Sequence, residues 1–163
     1  MVQRKLSRFR QERSPESNED FYKYVAFAYS SMPTIPTVKA ITPGEWRKIS
    51  RLLQTAPMNE ADLRKLLLIL IPIINNSIVV TSKVLHFINP DNFPILDSRV
   101  IRTWNSIFKG DKSLRIKSVL HRLDTNQLAD DYVNYWKLMH KWKFCCGGKA
   151  SLRELESALF NLQ

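Results

Sequence analysis

A chain of 163 residues has the length of one ordinary domain and is long enough to bury a core without disulfides or metal ions as staples. Lys and Arg number 25 against 15 Asp and Glu, so the net charge is +10. This excess argues against an acidic small molecule as substrate and favours a polyanionic partner. Nucleic acid comes first, with a ribosomal or a membrane-surface role as alternatives.

Residues 1–13 carry five basic residues, one acidic residue and few large apolar ones. We predict that they form a flexible basic arm and that residues 14–163 form a single helical domain. The arm lacks the apolar middle of a secretory signal peptide, and the adjacent Cys145 and Cys146 are poorly placed to bridge each other. We therefore expect a cytoplasmic protein, or a nucleoid-associated or nuclear one, that is not secreted.

The first helical signals lie between residues 14 and 53. Ser14-Pro15, followed by acidic residues, predicts a helix that ends near Pro33. Thr42 and Glu45 have the spacing of a capping box, which predicts the start of a second helix. The two prolines of residues 33–41 predict an extended linker between these helices.

The middle of the chain predicts two buried helices around a tight turn. Asn59 begins a helix that is apolar on nearly all sides, and Pro72 ends or kinks it. Residues 73–77 have the composition of a turn, and residues 78–87 that of the next helix. No apolar run in the sequence reaches the roughly 18 to 20 residues that a bilayer crossing needs, so we expect no membrane association.

A proline-rich loop over residues 89–94 precedes the C-terminal helices. Asp97, Asp111, Thr125 and a capping box that begins at Ser151 each predict a helix start. No alternating strand pattern of useful length is present in the sequence. We predict an all-α protein, a compact globule of seven or eight helices joined by short loops.

Residues 73–104 combine a turn, a helix, a proline-rich loop and an aspartate that begins the next helix. Within them, FPILDSRV (residues 93–100) has a proline, two apolar residues, the aspartate and a helix start in succession. The segment resembles the core of the helix-hairpin-helix DNA glycosylase superfamily, in which a hairpin grips the DNA backbone and the aspartate faces a flipped base. The resemblance implies a glycosylase-like fold and a double-stranded DNA partner.

The resemblance also implies that Asp97 is the catalytic carboxylate. In such enzymes this group stabilises the oxocarbenium-like sugar while the glycosidic bond breaks, or it orients the attacking water. Bifunctional members carry a Schiff-base lysine at a position that falls near Val80 here, so we expect monofunctional hydrolysis that leaves an abasic site. The alternative for Asp97 is a purely structural N-cap, which stabilises its helix without taking part in chemistry.

A DNA-binding surface is implied in the same way. Its residues are Asn75, Asn76, Ser77, Lys83, Arg99 and Arg102. The family usually has glycines in the hairpin turn, and this chain has asparagine there, the next best residue for a left-handed turn. The alternative for Lys83 is an ordinary exposed helix lysine.

We assign His86 and Phe93 to the pocket that receives the base. A lone helix histidine is also commonly a packing residue, which is the alternative for His86. The iron–sulfur members of the superfamily have four spaced cysteines, whereas this chain has two. We therefore expect no metal and no cofactor.

Three functions remain open at this point. The first is excision of a damaged or modified base by a DNA-binding protein of the glycosylase type. The second is non-enzymatic DNA binding or interaction on the same scaffold. The third is a helical adaptor for an acidic protein, in which the basic surface accelerates association.

Overall fold

The computed structural model describes residues 14–30, 32, 37–116 and 124–162. Within these ranges it has seven α-helices and no named strand, which confirms the predicted all-α class. The helices are α1 (Asn18–Ser30), α2 (Pro43–Leu53), α3 (Glu60–Ile73), α4 (Ile78–Ile88), α5 (Ser98–Ile107), α6 (Thr125–Cys145) and α7 (Leu152–Asn161). The predicted basic arm, residues 1–13, lies outside the described residues.

Two of the helices begin at the predicted capping boxes. At the start of α2, Thr42 Oγ1 accepts the Glu45 N–H at 3.2 Å, and Glu45 Oε2 accepts the Thr42 N–H at 2.8 Å. At the start of α7, Ser151 and Glu154 exchange the same pair of hydrogen bonds at 3.2 and 2.7 Å. Because the partners are three residues apart, these starts are determined locally.

The predicted start of the first helix is wrong. The helix α1 begins at Asn18 and not at Pro15, which is buried ahead of it. The cap is Ser17, whose Oγ accepts the Asp20 N–H at 3.1 Å. The Ser-Pro signal therefore lies one turn too early, because a second serine nearer the helix makes the capping hydrogen bond.

The helix predicted at Asp111 is a 3-10 turn, Lys112–Leu114. Asp111 Oδ1 does cap it, accepting the Ser113 N–H at 2.9 Å. The turn ends because the Trp104 indole donates to the Leu114 carbonyl at 2.7 Å and the backbone is extended at the next residue. A contact with α5 thus replaces the continued helix.

The two helices that flank the hairpin turn, α3 and α4, lie at the centre of the packing. α3 contacts α2, α4 and α6; α4 also contacts α1 and α6; α7 packs on α5 and α6. Most of α4 is buried, including polar Thr81, Ser82 and His86. Buried polar side chains need hydrogen-bond partners inside the protein, so these residues reach neighbouring segments. Among the described residues, no helix combines the length and the apolar composition that a bilayer crossing requires.

Candidate functional site

Asp97 begins α5 as its N-cap, as predicted. Its backbone is extended (φ −127°, ψ 174°), and its Oδ1 accepts the N–H groups of Arg99 at 3.0 Å and Val100 at 2.9 Å. The side chain is half-buried. Two backbone donors at the start of the helix hold the carboxylate and fix its direction.

The loop that leads to Asp97, residues 89–97, is held by side chains of α6. Tyr132 donates to the Pro94 carbonyl at 2.8 Å, Tyr135 to the Ile95 carbonyl at 2.9 Å, and Trp136 Nε1 to the Asn92 carbonyl at 2.8 Å, which His140 Nε2 also approaches at 3.0 Å. Burial, with the nearby Glu156 carboxyl, raises the pKa of both tyrosines well above the usual range, so both hydroxyls remain donors.

Helices α4 and α7 hold the N–H groups of the same loop. The Leu96 N–H donates to Ser82 Oγ at 3.1 Å. The Ile95 N–H donates to Glu156 Oε1, on α7. Hydrogen bonds on both edges of the segment before Asp97 therefore leave its backbone little freedom, and the position of the carboxylate is determined by three helices distant in sequence.

The hairpin turn between α3 and α4 forms as the sequence predicts. Asn75 (φ 55°) and Asn76 (φ 48°) are both in the left-handed region and exposed. Ser77 caps α4, with its Oγ accepting the Val80 N–H at 3.4 Å. The first N–H groups of α4 and the turn therefore lie together at an exposed corner, an arrangement suited to an anion.

The hairpin turn leads into the start of α4, and the loop before Asp97 is bound to the middle of the same helix. Ser82, which binds the residue before Asp97, is five positions after Ser77, or about 7.5 Å along the helix axis. The predicted catalytic carboxylate and the predicted phosphate-binding turn, 20 residues apart or more in sequence, are thus both attached to α4, the turn at its start and the loop before Asp97 at its middle.

Three of the predicted DNA-binding residues are basic and lie on the two helices α4 and α5. Lys83 follows Ser82 and is half-buried, while Arg99 and Arg102 are exposed on the first turns of α5. The Arg99 guanidinium lies 5.0 Å from the centre of the half-exposed Phe160 ring. Within the described part of the chain, no ion pair involves these three residues, so their charges remain available to an anion.

The two residues assigned to the base pocket are core residues. Phe93 is 1 % exposed and His86 is 4 % exposed. Burial, with a smaller contribution from Arg153, lowers the pKa of His86 to about 4 against the opposing hydrogen bond to the Phe93 carbonyl. His86 is therefore neutral, and its Nδ1–H donates to that carbonyl at 2.9 Å. The pocket assignment is corrected because both side chains fill space beneath the loop.

Two cavities of about 370 and 380 Å³ lie elsewhere on the described surface. One lies between the 3-10 turn and α6, and includes Arg115 and Lys137. The other lies between α2 and α3, and includes Lys48 and Pro72. Asp97 lines neither of them, so a cleft that receives a base is not supplied by these two cavities.

Sequence reasoning missed Glu156, which is 4 % exposed and faces the loop. Burial is the main cause that raises its pKa to about 7; nearby Asp97 raises it further, while the Ile95 N–H and Arg153 oppose the rise. A signal was present in the sequence. Glu156 falls four residues after Leu152 and three before Leu159, on the apolar face of its helix, where a carboxyl group requires explanation.

Comparison of the chain with protein-family models, with curated proteins and with solved structures gave no match. Across the described residues, His, Cys, Asp and Glu do not gather in groups of three or more that could hold a metal ion. Both cysteines are free thiols.

Proposed function

We propose that this protein binds double-stranded DNA and excises a damaged or modified base by monofunctional hydrolysis, with Asp97 as the catalytic carboxylate. The observation that carries the proposal is that one helix, α4, holds two features. The exposed left-handed turn of Asn75 and Asn76 leads into its start, and Ser82 at its middle binds the N–H of Leu96, next to the Asp97 carboxylate that begins α5.

Asp97 would act as a fixed anion. The bond between the sugar C1′ and the base nitrogen breaks, the base leaves with the bonding electrons, and water forms the new C1′–O bond and loses a proton, which the departing base takes up. Positive charge develops on the sugar in this step, and an ionised carboxylate held by two backbone N–H groups stabilises it without having to reorganise. The hydrogen-bonded loop ahead of Asp97 supplies the rigidity that this mechanism needs.

The hairpin and the basic residues would hold the DNA backbone. Backbone N–H groups at the turn and at the start of α4 would bind one phosphate, with the helix dipole in support. Arg99 and Arg102, one turn apart and both exposed on α5, would neutralise further phosphates. Phosphate contacts of this kind position the duplex and carry no sequence information.

The decisive experiment compares wild type with Asp97→Asn on a panel of duplexes that carry damaged or modified bases, followed by alkaline cleavage of abasic sites. Asn is a good N-cap, so the substitution preserves the helix start and removes the charge. We expect base release to fall by about 100-fold or more. Asp124→Asn, the same change at the N-cap of α6, is the matched control and should leave activity unchanged.

DNA binding is tested by measuring affinity over a salt series. Replacing both Arg99 and Arg102 by Gln should lower the slope of log affinity against log salt by about one per residue. Arg51→Gln, an exposed charge on α2, is the control. A wild-type affinity that does not change with salt would contradict nucleic-acid binding and favour the adaptor for an acidic protein.

The second candidate function is DNA binding without base excision. The position of Asp97 outside both described cavities favours it, because base excision needs a pocket that encloses the flipped base. Steep salt dependence together with no strand cleavage on any substrate would support this candidate over the first.

A further inference from the structure

Beneath the loop of residues 89–97 lies a buried polar cluster to which the proposed chemistry assigns no role. Glu156 Oε1 accepts the Ile95 N–H and lies 3.5 Å from His86 Nδ1. Arg153 Nη1 lies 3.8 Å from Glu156 Oε2 and 3.5 Å from His86 Nε2. Among the described residues, Glu156 Oε2 has no hydrogen-bond partner. A carboxyl group in such a place is costly unless it is neutral or paired.

We propose that Glu156 is a positioning residue of the Asp97 site, which sets how firmly the loop of residues 89–97 holds the Asp97 carboxylate through its bond to the Ile95 N–H. The effect of Glu156 on base release rests on the proposed function. The structural part of the inference, the coupling of Glu156 to Asp97, stands on the hydrogen bond to the Ile95 N–H and on the electrostatic repulsion between the two carboxyl groups.

The coupling follows from proximity. Ile95, which Glu156 holds, is two residues before Asp97, and the two carboxyl groups are near enough to repel each other electrostatically. The repulsion is reciprocal, because any charge on one carboxyl disfavours charge on the other. A change at Asp97 must therefore alter the ionisation of Glu156.

Ionisation of Glu156 changes the strength of its hold on the loop. A hydrogen bond from an N–H to a carboxylate is roughly twice as strong as one to a neutral carboxyl group. The groups that face Glu156 are His86 from α4, Asp97 ahead of α5, Tyr132 and Tyr135 from α6, and Arg153 on its own helix.

The pKa of Glu156 is about 7, whereas burial lowers the pKa of His86 to about 4 and raises the pKa of both tyrosines well above the usual range. The hydrogen bond from the Ile95 N–H to Glu156 therefore strengthens as the pH rises through neutrality, although burial of the new charge lowers the overall stability of the fold.

Backbone ¹⁵N NMR of the full chain tests the coupling without any substrate. The Ile95 amide should titrate with a midpoint near pH 7 in wild type and not in Glu156→Gln. Glu154→Gln, two residues away on the exposed side of α7, is the matched control and should keep the transition, since Gln also serves in a capping box. An Ile95 amide that does not titrate in wild type overturns the proposal.

Two further variants keep the test decisive even where Glu156→Gln fails to fold. Asp97→Asn removes the repelling charge and should lower the midpoint of the Ile95 titration, while Asp124→Asn should not. Arg153→Gln removes the neighbouring positive charge from a largely exposed side chain and should raise the midpoint. Midpoints unchanged in both Asp97→Asn and Arg153→Gln would show that the carboxyl groups are not coupled.

The rate of base release separates this inference from the proposed function. Wild-type activity should increase with pH through about 7. Glu156→Gln should lose that pH dependence but keep measurable base release, whereas Asp97→Asn should lower base release by about 100-fold or more. A pH profile that is identical in wild type and Glu156→Gln overturns the positioning role. If wild type releases no base at all, the proposed function fails, and the NMR titrations still decide whether Glu156 and Asp97 are coupled.

Discussion

The shifted pKa values of the buried residues Glu156 and His86 predict two opposite effects of pH on the free energy of unfolding, which cancel in wild type. The pKa of Glu156 is about 7, against the usual 4.5, so the folded chain keeps a proton that the unfolded chain has released. Its contribution to stability is complete below pH 4.5 and is lost as the pH rises through 7. The pKa of His86 is lowered from the usual 6.5 to about 4, so the unfolded chain binds a proton that the folded chain excludes.

The contribution of His86 is therefore complete above pH 6.5 and is lost as the pH falls through 4. Between pH 4.5 and 6.5 the two groups change the free energy of unfolding in opposite directions, each by at most about 1.4 kcal/mol per pH unit. Over that window each group alone would change the free energy of unfolding by about 2 to 3 kcal/mol. In wild type the two changes cancel.

Single variants should reveal each effect. In Glu156→Gln, where only His86 titrates, the free energy of unfolding relative to wild type should increase from pH 4.5 to 6.5 by about 2 to 3 kcal/mol. In His86→Asn, which retains a donor at the Nδ1 position, the free energy of unfolding relative to wild type should decrease by a similar amount over the same range. Urea unfolding followed by circular dichroism at three pH values measures both.

Differences from wild type are the quantity to compare, because several other carboxyl groups near the surface also have a lowered pKa and affect all variants equally. Glu154→Gln is the control and should show no comparable pH dependence of the difference, because Glu154 is exposed and its pKa is lowered by capping bonds rather than raised by burial. The reasoning is refuted if Glu156→Gln and His86→Asn show the same slope as each other, or if neither differs from wild type.

Three further predictions concern stability, each measured by urea unfolding. Asp97→Ala should cost about 1 kcal/mol through the lost N-cap, whereas Asp97→Asn should stay within a few tenths; equal losses would mean that the cap contributes nothing. Asn76→Val should cost about 1 to 2 kcal/mol because a β-branched residue is strained at φ 48°, whereas Asn76→Gly should be tolerated; a harmless Val would contradict the left-handed turn. Tyr132→Phe should cost about 1 to 3 kcal/mol by leaving the buried Pro94 carbonyl without its donor, and a neutral result would mean that this bond does not hold the loop.

Local signals in the sequence predicted the helical class and several of its boundaries. The two capping boxes and the N-cap at Asp97 each depend on residues two or three positions apart, so no distant contact is needed to form them. The left-handed turn at Asn75 and Asn76 follows equally from the residues in it. Competing local signals explain the error at α1, where Ser17 caps the helix instead of Ser14.

Only the tertiary structure decided what surrounds Asp97. Glu156 lies 61 residues from the Ile95 amide that it binds, and Tyr132 lies 38 residues from the carbonyl to which it donates. A sequence pattern shows that such side chains face the core but not which backbone group they meet there. For the same reason His86 and Phe93 were assigned to a pocket, while their burial and mutual hydrogen bond depend on how α4 and the loop pack together.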